Sequence, residues 1–147
     1  MTPAADPERP GRGPGLAPEH AMALCVLVDD HDDTREGFAE YLQVSGFEVL
    51  SAASAEELDA ILATAVPDVI VLDLQLPRVD GWELARRIKA NPVLRPVPLV
   101  AFSACVMPAE RAMAEEAGFD LFLGKPCDPS IILRELRRLL ASRTAGS

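Results

Sequence analysis

The chain has 147 residues, enough for one domain with a full core and too few for two. Apolar residues make up 49% and charged residues 25%, the balance of a globular chain, and no apolar run approaches the roughly 18 residues that a membrane span requires. Fourteen basic against 23 acidic residues give a formal charge of −9, which disfavours contact with a nucleic-acid backbone and makes any DNA role indirect.

Residues 1–21 repeat Pro and Gly without periodicity, as in Pro10-Gly11-Arg12-Gly13-Pro14-Gly15, and read as a flexible tail. They lack the apolar core of a signal peptide, so the expected location is the cytoplasm. The domain is placed at residues 22–142, with a short C-terminal tail at 143–147. Leu24 to Val28 is continuously apolar, as suits a strand buried on both faces. A helix follows: Asp33 and Glu36 have capping-box spacing, Phe38, Tyr41 and Leu42 recur at helical intervals, and Gly46 can end it. Phe47 to Ala52 makes a second strand, Leu58, Ile61 and Leu62 mark a second helix, and Asp68 to Asp73 a third strand. Leu84, Ala85 and Ile88 belong to a third helix that stops before Pro92, and Pro96 to Ser103 is the fourth strand. Pro108 opens a fourth helix ending at Gly118; Asp120 to Leu123 is the fifth strand. Pro129 and Ser130 open the last helix, with Ile132, Leu136 and Leu139 on its inner face and Arg134, Arg137 and Arg138 outside. Fivefold alternation of strand and helix calls for a doubly wound α/β fold, a mostly parallel sheet covered on both sides.

In such sheets ligands bind beyond the carboxyl ends of the strands. Asp29 and Asp30 follow strand one, Asp73 and Ser103 end strands three and four, and Lys125 lies just past strand five. Two like charges 4 Å apart repel by about 4 kcal/mol at an effective dielectric near 20, so three gathered carboxylates call for a counter-charge. Carboxylates, a backbone carbonyl and water suit Mg²⁺, which commonly shares its site with phosphate. An aspartate nucleophile with Mg²⁺, an ammonium and a hydroxyl around it is equipped to accept a phosphoryl group. Asp73, Lys125 and Ser103 supply those groups. The three cysteines, Cys25, Cys105 and Cys127, have no paired ligand spacing and read as neither a disulfide framework nor a zinc site. Trp82 reads as a partly exposed residue at a helix start and His31 as a loop residue, with no chemistry assigned to either.

Val28-Asp29-Asp30, Val71 to Pro77 followed by Asp80-Gly81, Ser103-Ala104 and Lys125-Pro126 resemble, in order and spacing, the receiver domain of bacterial two-component response regulators, the CheY-like family. The resemblance covers about Leu24 to Leu140 and implies five strands in the order 2-1-3-4-5. It implies that Asp73 is the phosphoacceptor, that Asp30, Asp73 and the Gln75 carbonyl hold Mg²⁺, and that Asp29 acts largely through metal-bound water. Lys125 would pair with Asp73 and its phosphoryl group, Ser103 would turn to the phosphate, and Phe122 would be the switch aromatic where tyrosine is commoner. The Lys125–Pro126 bond is a candidate cis peptide. Gln75 and Cys105 stand where the family tunes dephosphorylation.

The resulting expectation is a stand-alone receiver, not a turnover enzyme, its chemistry confined to its own phosphorylation and dephosphorylation. Its partners would be a sensor histidine kinase or histidine phosphotransfer protein and an output protein. The switching surface would be formed by helix four, strand five and helix five. Two rivals stand beside it: a docking module or hybrid-kinase receiver that works without phosphate, and a phosphatase of the haloacid dehalogenase type. The phosphatase needs a second aspartate two residues after the nucleophile, where this chain has Gln75.

Overall fold

The structure, a computed structural model, describes residues 22–146. The reading of residues 1–21 as a flexible tail lies outside the described residues. Five strands, β1 (Leu24–Val28), β2 (Glu48–Ala52), β3 (Val69–Asp73), β4 (Leu99–Ser103) and β5 (Leu121–Gly124), form one parallel sheet in the order β2-β1-β3-β4-β5. Five helices alternate with them: α1 (Asp32–Val44), α2 (Ala55–Leu62), α3 (Gly81–Ala90), α4 (Pro108–Ala117) and α5 (Pro129–Gly146). The last helix thus continues past Ser142. The doubly wound architecture and the 2-1-3-4-5 order match the expectation.

Alternation along the central strands divides their side chains between two cores. Val26, Val28, Ile70, Leu72, Leu99 and Ala101 meet Leu58 of α2, Leu84 and Ile88 of α3 and Ala114 of α4. Cys25, Leu27, Val69, Val71, Val100 and Phe102 meet Phe38 and Leu42 of α1 and Ile132 and Leu136 of α5. Every residue of β1, β3 and β4 is buried, which is why these strands read as apolar runs rather than alternating ones. Burial pushes the Cys25 thiol up to about 12, in keeping with a packing role.

Local chemistry sets the element ends and moves several of them from the sequence reading. Asp68 and Asp120 precede their strands instead of starting them, because their carboxylates accept the first amides of neighbouring strands: Leu24 N–H at 2.7 Å and Leu99 N–H at 2.8 Å. β4 starts at Leu99, since Pro96 and Pro98 have no N–H for a ladder. The capping box expected at Asp33 and Glu36 is not formed. α1 begins at Asp32 behind His31, leaving Asp33 inside the first turn. The reciprocal arrangement occurs on α2, where Ser54 Oγ accepts Glu57 N–H and Glu57 Oε1 accepts Ala53 N–H.

α4 stops at Gly118, whose φ of 107° lies in the left-handed region. A side chain there would also meet Lys89, because an ideal Cβ would stand 2.8 Å from its Cγ. Lys89 is held in place, donating to the carbonyls of Arg95 and Val97 at 3.1 and 2.9 Å. Gly37 of α1 is the opposite case, with nothing within 4 Å of an ideal Cβ. Gly118→Ala should therefore destabilise the domain by more than about 1 kcal/mol, whereas Gly37→Ala should stabilise it by about 0.5–1 kcal/mol. Urea unfolding of both variants reads the opposite signs; equal signs would refute the account.

Candidate functional site

The sheet register delivers the site. Asp29 follows β1, anchored by donating its N–H to Ala52 O at 3.0 Å. Asp73 closes β3 opposite Phe102, and Ser103 closes β4 opposite Gly124. Lys125 then follows β5, its N–H bonded to Ser103 O at 2.8 Å. The Lys125–Pro126 peptide is cis, as expected.

These strand ends converge on the lysine. Lys125 Nζ lies 3.1 Å from Asp29 Oδ2 and 3.3 Å from Asp73 Oδ2, and 5.1 Å from the centre of the Phe102 ring. Both aspartates are buried. The contact to Asp73 is a hydrogen bond, whereas that to Asp29 is an ion pair without hydrogen-bond geometry, so Asp29 Oδ2 accepts none. Burial holds the Asp73 carboxyl above the ordinary carboxylate range; the Asp29 charge adds to this, while the Gln75 N–H and Lys125 pull the other way.

Asp30 completes the acidic group. One oxygen each from Asp29, Asp30 and Asp73, with a ring nitrogen of His31, all lie within 4.8 Å of one another. Asp30 Oδ1, like Asp29 Oδ2, is a buried oxygen that accepts no hydrogen bond. Buried acceptors without donors are costly, and hard oxygen donors gathered this closely fit a divalent cation such as Mg²⁺. The expected set Asp29, Asp30 and Asp73 is therefore brought together. Gln75, whose carbonyl was expected to join them, lies in the β3–α3 loop with its N–H on Asp73 Oδ1 at 2.9 Å.

Ser103 is buried and closes its own turn: Oγ accepts Cys105 N–H at 3.0 Å and donates to Cys105 O at 3.2 Å. Phe122 is half-buried against the α2–α3–α4 core, with the Arg111 guanidinium 4.9 Å above its ring. Trp82 is partly buried at the start of α3, where Asp80 accepts its N–H, as read from the sequence.

Three supporting contacts escaped the sequence reading. Arg35 donates to Asp29 O at 2.8 Å and pairs with Asp32 at 2.7 Å, fixing the turn that aims Asp29. Gln75 Oε1 accepts Ala104 N–H at 3.2 Å, joining the loops after β3 and β4. His31, read as a loop residue, is the N-cap of α1, with Nδ1 3.2 Å from Asp29 Oδ1. A helical spacing of Arg35 from Asp32 was the only one of these visible in the chain; the others depend on distant loops meeting.

The raised Asp73 carboxyl gives a pH-dependent expectation. A carboxyl whose folded pKa exceeds its unfolded value stabilises the fold fully below the unfolded value and loses that contribution as pH rises through the folded one. Without divalent cations, Asp73→Asn should melt above wild type at neutral pH, and the gap should close as pH falls toward about 4. Thermal melts across that range test this, and a gap that ignores pH would remove burial of the charge as its cause.

The sequence model of the response regulator receiver domain matches residues 25–137. The response regulator Rre1 of Synechocystis sp. is 33% identical over 123 residues, covering 83% of this chain and 53% of the relative, so the chain spans about half the length of that protein. Among solved structures, the chemotaxis response regulator CheY4 of Vibrio cholerae superposes with a TM-score of 0.76 at 28% identity, over 80% of this chain and 98% of that one. The signal receiver domain of a signal transduction histidine kinase from Syntrophus aciditrophicus gives 0.75 at 26% identity, over 82% and 92%. With the parallel sheet and the clustered strand-end residues, these matches establish that the chain belongs to the response regulator receiver domain family of two-component signalling.

Proposed function

We propose that this receiver accepts a phosphoryl group on Asp73 from the phosphohistidine of a sensor histidine kinase or histidine phosphotransfer protein, and signals by a change of surface. The observation that carries this reading is the Asp73 carboxylate at the mouth of the sheet, in contact with Lys125 and beside two further carboxylates. Receiver domains are phosphoacceptor signalling domains with an acidic Mg²⁺ pocket, and the donor set here fits that cation.

In the transfer, an Asp73 oxygen attacks phosphorus; an O–P bond forms, the donor's N–P bond breaks, and the imidazole leaves with the electron pair. Lys125, already bonded to Asp73 Oδ2, stays beside the acceptor and offsets charge on the phosphoryl oxygens. Asp29, Asp30, Asp73 and the Gln75 carbonyl are the residues that would hold Mg²⁺. The bound cation supplies positive charge against the carboxylates and the transferring group. Ser103 Oγ reaches the phosphoryl group by exchanging Cys105 O for it as acceptor. That exchange draws on the loop leading into α4, where Val106 and Met107 are exposed, as is Met113 on α4 itself. The face of α4, β5 and α5 is therefore the proposed docking surface for the output protein.

Two settings for the domain follow from its likenesses. The match to nearly the whole CheY4 chain supports the stand-alone reading, which we favour. The match to a histidine kinase's receiver supports the second, a receiver carried by a larger kinase. Gln75 stands where a phosphatase of the haloacid dehalogenase type needs its acid, which argues against turnover chemistry.

Incubation with acetyl phosphate and Mg²⁺, followed by intact-mass measurement, should give one phosphoryl adduct on wild type and none on Asp73→Asn. Folded wild type that acquires no adduct on rapid trapping would refute phosphoacceptance and leave the phosphate-independent docking module.

A further inference from the structure

We propose that His31 donates an imidazole nitrogen to the acidic cation site, so that the site is a mixed nitrogen–oxygen one, selective for first-row transition dications such as Mn²⁺ beyond what carboxylates alone provide. The inference rests on reading Asp29, Asp30 and Asp73 as a cation site and adds a ligand of different chemistry to it.

Three observations carry it. First, the ring nitrogen is in place: His31 Nδ1 lies 3.2 Å from Asp29 Oδ1 and 3.4 Å from Asp30 Oδ1, and belongs with Asp73 to the group of atoms within 4.8 Å of one another. Ligand atoms around a dication at bonds of about 2.1 Å stand about 3 Å apart when adjacent and about 4.2 Å apart when opposite, so the spread is close to that of a coordination shell. Second, the Asp29 side chain is only 1% exposed, yet its Oδ2 accepts no hydrogen bond, and the buried Asp30 Oδ1 accepts none either. The site thus accepts fewer hydrogen bonds than its carboxylates can take, although Lys125 Nζ stands 3.1 Å from Asp29 Oδ2. Third, the backbone fixes His31. Its N–H donates to Asp29 Oδ1 at 2.8 Å and its carbonyl accepts Arg35 N–H at 2.9 Å at the start of α1.

Ligation takes the neutral form of the imidazole. Facing a carboxylate oxygen that can only accept, Nδ1 carries the proton in its contact with Asp29 Oδ1. Ligation requires the other tautomer, with the proton on Nε2, and a side chain 65% exposed leaves that proton hydrated. Tautomer exchange moves a proton between ring nitrogens and changes no net charge. Imidazole binds Co²⁺, Ni²⁺ and Zn²⁺ strongly and Mn²⁺, the weakest of the first-row series, still more readily than Mg²⁺, which keeps oxygen ligands and water. Loss of His31 should therefore weaken one class of cation and spare the other.

The test uses untagged full chain, with Mg²⁺ and Mn²⁺ binding measured by calorimetry and the Mn²⁺ complex examined by pulsed electron paramagnetic resonance. Wild type should show nitrogen-14 modulation from a directly bound imidazole. His31→Gln should abolish it and weaken Mn²⁺ about ten-fold while changing Mg²⁺ less than about two-fold. Absence of nitrogen coupling in wild type, or equal loss of both cations in His31→Gln, would overturn the inference and leave the carboxylate site standing. Asp30→Asn should weaken both cations. Unchanged binding of both in that variant would instead remove the carboxylate site, and with it the role of His31.

Discussion

The arrangement turns on one ammonium. Lys125 Nζ bridges Asp29 and Asp73, two buried carboxylates that the parallel sheet brings together at the ends of adjacent strands. Without it the pair would stand desolvated with like charges facing, an arrangement that low dielectric makes expensive. With it, the carboxylates of Asp29, Asp30 and Asp73 still outnumber the one bridging cation, leaving an excess of two negative charges. The raised Asp73 carboxyl expresses the same strain, because the lysine and the Gln75 amide do not fully offset burial. Charge imbalance of this size is a poor way to stabilise a fold and, in the proposed role, an effective way to recruit a dication.

The rest of the fold serves to make that imbalance tolerable. Two cores, one on each face of the sheet, bury every residue of β1, β3 and β4, so the strand ends are held by apolar packing rather than by the polar residues they carry. Asp68 and Asp120 tie neighbouring strands at the opposite edge of the sheet, where their carboxylates take backbone amides. Aspartate thus has two uses in one sheet. At the amino ends it is satisfied by backbone donors; at the carboxyl ends it is left short of them.

Residue patterns displayed the fold almost completely, because continuous apolar runs and glycine or proline stops are local properties of the chain. Strand starts were less legible: whether Asp68 begins a strand or caps its neighbour depends on Leu24, which is distant in sequence. The capping box at Asp33 and Glu36 was misplaced for a similar reason, since the turn before α1 is closed by Asp29 and Arg35 instead. That the strand ends carrying Asp29, Asp30, Asp73, Ser103 and Lys125 meet at one edge of the sheet could be read because strand-end position alone determines convergence. The contacts that adjust it, from His31, Arg35 and Gln75, could not, because each depends on a loop conformation that no periodicity encodes.

Those adjusting contacts bear on how a local reaction can move a surface. Three donors near the acidic site are already engaged: Lys125 with two carboxylates, Ser103 Oγ with Cys105 O, and Ala104 N–H with Gln75 Oε1. A phosphoryl group on Asp73 would compete for them, so each gain would come with a loss. A neutral hydrogen bond contributes a net of about 0.5–1.5 kcal/mol, and a charge-assisted one roughly twice that. Moving a population from 1:99 to 99:1 takes about 5.5 kcal/mol. No single exchange reaches that figure, so in the proposed role the switch must draw on several at once. Ser103, Ala104 and Cys105 are consecutive, and the loop they form continues into Val106, Met107 and α4. That loop can exchange its bonds together, which makes it the segment through which charge at Asp73 would reach the docking face.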